Sequence, residues 1–176
     1  RTMREKIFSR MTPAWHSCYR SGIFTEFMEQ RAPGHTVLDD KIYRLGMLDF
    51  ISRIDEAEKK LDYLHDPSAW QRSEELEAMR ICAQAIITLA NRYAVEAERL
   101  AQQELSLQRR RELQRIAEVC RRVPGRPPRS FHEALQSYWF VHLGVITELN
   151  PWDSFNPGRL DQHLYPFYQS DRAAGV

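Results

Sequence analysis

The sequence predicts a mostly α-helical chain that forms one piece of a larger fold. Three observations carry this. Apolar residues recur at three- and four-residue steps over most of the length, the period of a helix face. No two-residue alternation is long enough for a strand. One late helix is apolar almost all round, and little chain remains to cover it.

With 176 residues the chain is long enough for one domain with a sizeable core. Its 25 basic and 24 acidic residues nearly cancel, which argues against broad attraction to nucleic acid or a membrane surface. Cys18, Cys82 and Cys120 lie far apart without metal-ligand or CxxC spacing, so they are expected as buried small apolar residues in a reducing cytoplasm. No signal peptide or membrane span is visible. The chain opens on Arg1 and runs out in "DRAAGV", the ends expected of an internal segment.

Taken in order, "RTMREKIFSRMTP" reads as a helix end broken by Pro13, which lacks an amide hydrogen. Residues 14–31 read as loop mixed with short helix. Leu38, Ile42, Leu45, Leu48, Ile51, Ile54, Ala57 and Leu61 then share one face of a first long helix, with Asp39 and Asp40 in its first turn. Asp66 and Pro67 read as N-cap and first residue of a second. Its stripe is Leu76, Met79, Ala83, Ile86, Ala90, Tyr93, Ala97 and Leu100.

A third helix over "LQRRRELQRIAEVCRRV" turns Leu113, Ile116, Cys120 and Val123 inward, while Glu112 and Glu118 between its arginines favour a solvated face over a nucleic-acid site. "PGRPPR" ends it. Ser130 and Glu133 have capping-box spacing and open the apolar helix through Leu149. A last helix is expected to begin at Asn156 and Pro157.

Two stretches invite chemistry. His35 stands on a Pro33-Gly34 turn before a helix; the ring either packs locally or is aimed at a ligand. Glu148, Asn150, Asp153, Ser154 and Asn156 crowd one loop, where either backbone amides or a hydroxylated ligand would partner them. His132 and His142 are too far apart along one helix to share a metal, and Asp161 with His163 reads as a surface pair. No nucleophile elbow, phosphate loop or HExxH motif occurs.

These same stretches carry a resemblance. "EFMEQRAPGHTVLDDKIYRLGMLDF", "SFHEALQSYWFVHL" and "ELNPWDSFNPGRLDQHLYPFY" resemble the pyruvate formate-lyase domain of glycyl radical enzymes. The likeness is to the dehydratase and carbon–heteroatom lyase branch, which includes B12-independent glycerol dehydratase and choline trimethylamine-lyase. It runs over nearly the whole chain and is most specific from Phe131 to Tyr168.

The resemblance implies that residues 1–176 are a partial domain without internal boundary, from the N-terminal half of a large cytoplasmic homodimer active without oxygen. The chain would form part of the helical shell around a ten-stranded α/β barrel. An activating enzyme with an iron–sulfur cluster and S-adenosylmethionine would install a glycyl radical, passed to a cysteine whose thiyl takes hydrogen from a small-molecule substrate. The radical glycine and the Cys-x-Glu loop do not occur in this sequence, so no catalytic residue is assigned and no bound metal is expected.

By the same resemblance, His35 faces a substrate hydroxyl, and Asp153 or Ser154 takes the place of a substrate-binding serine, depending on which side of the loop anchors the match. A carboxylate or sulfonate on the substrate would call for a basic partner such as Arg20 or Arg31. The implied function is radical cleavage of a C–O or C–N bond. The alternatives are a formate C-acetyltransferase or decarboxylase of the same family, and a noncatalytic helical interaction module.

Overall fold

A computed structural model describes residues 3–24, 38–148 and 157–175. Every regular element among them is a helix, as expected. Eight are seen: α1 (Met3–Phe8), α2 (Pro13–Arg20), α3 (Lys41–Arg44), α4 (Met47–Glu58), α5 (Ala69–Gln103), α6 (Leu107–Arg122), α7 (Phe131–Glu148) and α8 (Leu160–Ala173). They fall into two compact units, one of residues 1–39 and 141–158, the other of residues 40–140 and 159–176.

In the first unit, Pro13 opens a helix rather than merely ending one. Thr12 caps α2 by accepting from the Trp15 amide at 3.2 Å, and Pro13 stands where its missing N–H is not needed. Trp15 stacks on Tyr19 at 5.4 Å between centroids, and Phe8 meets both rings edge-on. The turn after α2 uses Gly22, whose φ of 73° favours glycine.

The first long helix of the sequence reading is broken in two. Leu38 and Asp39 have left-handed φ values of 60° and 47°, and Leu45 and Gly46 are extended, so the stripe is divided between α3 and α4. The break has a physical reason. The chain at Gly46 runs against Gly125 and Arg126 so closely that a Cβ there would stand within 3.0 Å of the Gly125 carbonyl oxygen and the Arg126 backbone. The Met47 amide donates to the Pro124 carbonyl at 2.8 Å and the Leu48 amide to the Gly125 carbonyl at 3.0 Å. The Gly46 amide donates to the Asp49 carboxylate at 2.8 Å. Donors left open by the start of α4 are thereby satisfied.

Helix α5 starts two residues later than expected: Asp66 accepts from the Ser68 amide and hydroxyl, and Ser68 rather than Asp66 precedes the helix. Its buried stripe is made of alanines, Ala69, Ala83, Ala90, Ala94, Ala97 and Ala101, whereas Met79, Tyr93 and Leu100 of the expected stripe are exposed. Small residues let α6 pack closely along α5. Leu113 and Cys120 of α6, and Val123 just after it, are buried as expected. Ile116 packs with Ile86 and Leu89 against a core of Ala90, Ala94, Cys120 and Phe140. Arg80 of α5 pairs with Asp55 and Glu58 of α4 and with Glu77 of its own helix, pinning the two helices together.

Glu133, 2% exposed, gathers the connection between α6 and α7. It accepts from the Arg129 amide at 2.7 Å, the Arg129 guanidinium at 3.0 Å and the Arg122 guanidinium at 3.2 Å. The Ser130 hydroxyl accepts from the Glu133 amide at 3.2 Å, so half of the expected capping box forms; the carboxylate reaches the Arg129 amide instead of that of Ser130. The apolar helix α7 buries Ala134, Phe140, Val141 and Val145 but leaves Leu135 and Trp139 exposed.

Two outcomes follow from this packing. Gly46→Ala forces backbone apart and is expected to cost about 2 kcal/mol or more, whereas Gly22→Ala meets nothing within 4 Å and costs about 1 kcal/mol through its φ; denaturant unfolding of the two variants distinguishes them. Burial pushes the Glu133 carboxyl up, yet the Arg129 side chain, the Arg129 amide and the two nearby charges together hold it below its ordinary 4.5. Its contribution is therefore present above about pH 4.5 and lost as pH falls through the lowered folded value. Glu133→Gln is expected to destabilise by about 1–3 kcal/mol at neutral pH, with wild type and variant converging in acid.

Candidate functional site

His35, Asp153, Ser154 and Asn150, and the side chain of Glu148, lie outside the described residues. What the structure shows are the elements into which these two stretches lead. Helix α3 begins six residues after His35, and α8 begins six residues after Ser154. The described residues bordering both stretches, Leu38 and Asp39 on one side and Val141–Thr147 with Pro157 and Gly158 on the other, belong to the same compact unit.

Within the second unit, α3, α7 and α8 meet. The Asp171 carboxylate accepts from the Phe131 amide at 2.8 Å, and Phe131 meets Tyr168 edge-on at 6.4 Å. The start of α7 is thus tied to the last turns of α8. Helix α3 lies against both. Ile42 and Tyr43 are 2% and 6% exposed, and the buried Ser137 hydroxyl of α7 donates to the Ile42 carbonyl at 3.5 Å. The Tyr43 ring stacks on His163 of α8 at 5.4 Å with planes 24° apart, and Phe167, one turn on, stands 6.4 Å away.

This arrangement corrects one sequence expectation. His163 is half-buried against Tyr43, not a surface partner of the exposed Asp161. The sequence reading also passed over Tyr43, because it falls beside the apolar stripe instead of on it. The usable signal was the His163 and Phe167 pair, four residues apart and so on one face of α8.

Other polar clusters are occupied by structural work. An open recess between α4 and α5 is lined by Asp55, Glu58, Lys59, Tyr63 and Arg80, where three carboxylates already neutralise the Arg80 guanidinium. The arginines of α6 pair with carboxylates as expected of a solvated face: Arg109 with Glu112, Arg115 with Glu118, and Arg121 with Glu98 of α5. His65 pairs with Asp62 at 2.8 Å, and His16 Nε2 lies 2.9 Å from the Phe8 carbonyl oxygen. Among the described residues no three His, Cys, Asp or Glu side chains converge as a metal site. No helix there is long and apolar enough to cross a membrane.

The cysteines differ from the expectation that all three are buried. Cys120 is buried in the α5–α6–α7 core, and burial pushes its thiol up. Cys18 is half-buried and Cys82 exposed on α5.

The pyruvate formate lyase-like family matches residues 1–176, and the chain belongs to that family. Its relatives there are glycyl radical dehydratases and lyases. Over 176 residues it is 50% identical to trans-4-hydroxy-L-proline dehydratase of Clostridioides difficile, covering all of this chain and 22% of that protein. Over 139 residues, 77% of this chain and 16% of the relative, it is 38% identical to isethionate sulfite-lyase of Nitratidesulfovibrio vulgaris. The structure matches that of the Clostridioides difficile hydroxyproline dehydratase with substrate trans-4-hydroxy-L-proline bound, with a TM-score of 0.81 over 98% of this chain and 22% of that one at 50% identity. It also matches the glycerol-bound B12-independent glycerol dehydratase from Clostridium butyricum, with a TM-score of 0.76 at 30% identity over 92% of this chain and 21% of that one. The chain thus spans about a fifth of the length of these dehydratases.

Exposure orders the cysteines by reactivity. Alkylation mapped by peptide mass is expected to label Cys82 first and Cys120 last. Cys82→Ser is expected to leave stability within about 0.5 kcal/mol, the usual range for a surface change.

Proposed function

We propose that the whole protein is a glycyl radical dehydratase that removes water from a small hydroxylated amino acid of the 4-hydroxyproline kind. The observation that carries this is the 50% identity to a trans-4-hydroxy-L-proline dehydratase along all 176 residues. The present chain is read as one partial domain, residues 1–176, part of the helical shell of a barrel, and inactive by itself. The complete enzyme would be a cytoplasmic homodimer, working without oxygen and activated by an S-adenosylmethionine and iron–sulfur partner. That partner supplies a radical, stored on a glycine and relayed through a cysteine that this sequence does not carry.

The residues contributed here serve the substrate. His35 holds the hydroxyl and can donate the proton with which it leaves as water. Asp153, an acceptor when ionised, suits a hydroxyl or a ring ammonium, both present in a hydroxylated imino acid. Ser154 can donate as well as accept and is the alternative partner at the same point of the loop. The substrate carboxylate calls for a cation. Arg31 is close in sequence to His35, and Arg20 stands exposed in the last turn of α2.

The test is anaerobic activation of the full reading frame with its activating enzyme, followed by incubation with trans-4-hydroxy-L-proline, isethionate and glycerol separately. Loss of one water from hydroxyproline alone is the expected result. A stable radical with no turnover of hydroxyproline refutes the substrate, and sulfite release from isethionate would reassign it. In the active enzyme His35→Ala is expected to lower turnover by about 10²-fold, the scale of a lost acid or base. Wild-type turnover in that variant would make the ring structural.

A further inference from the structure

We draw no further inference here: the strongest candidate, the exposed patch of Tyr63, Leu64 and Trp70 at the turn between α4 and α5, is an apolar surface beside carboxylates that already pair with Arg80, and nothing in the structure shows what covers it.

Discussion

Gly46 has no side chain, and the start of α4 uses the space. Two amides of its first turn reach carbonyls of the Pro124-Gly125 segment, and the chain passes where any Cβ would collide with backbone. This contact joins residues far apart in sequence, and much of the second unit is arranged around it. It sets where α4 starts, and so where Asp55 and Glu58 meet Arg80 on α5. It also anchors the exit from α6, from which Arg122 turns to Glu133 at the start of α7.

From Glu133 the dependence continues. Its carboxylate brings the end of α6, the connector and the first turn of α7 to one point, with three donors satisfying a charge that burial alone would penalise. The same end of α7 is held by Asp171 of α8, while Ser137 and His163 receive α3. Surface pairs such as Arg109–Glu112 and Arg115–Glu118 contribute little by comparison, since exposed ion pairs are worth about 0–1 kcal/mol. Buried polar contacts thus decide how the helices join, while the apolar stripes decide which faces are hidden.

The stripes were legible in the sequence because helical periodicity is a local signal; α6 with Leu113, Cys120 and Val123 inward is the clearest case. What periodicity missed was set by contacts distant in sequence. The break at Gly46 depends on Gly125, which no window around residue 46 contains. Met79, Tyr93 and Leu100 looked like core by hydrophobicity, yet the buried seam of α5 chose alanines, because close approach favours small side chains over large ones. The spacing of His163 and Phe167 hinted at an aromatic face on α8, but its partner Tyr43 lies on α3, far away in sequence. His35, Asp153 and Ser154 stood out by their turn and their polar loop, but a substrate role for them came only from resemblance, since a turn histidine and a polar loop have ordinary structural uses.

The alanine seam of α5 has a consequence for how this segment can change over generations. Most cores are vulnerable to shrinkage, since trimming a leucine leaves a void. Here, at Ala83, Ala90, Ala94, Ala97 and Ala101, there is almost nothing to trim, and every replacement except glycine adds atoms where the side chain is already buried. Mutational pressure on the seam is therefore one-sided. It concentrates the purging of enlargement along a single narrow line of α5 and places no such limit on its flanks, where Ile81 and Val95 are exposed among the described residues.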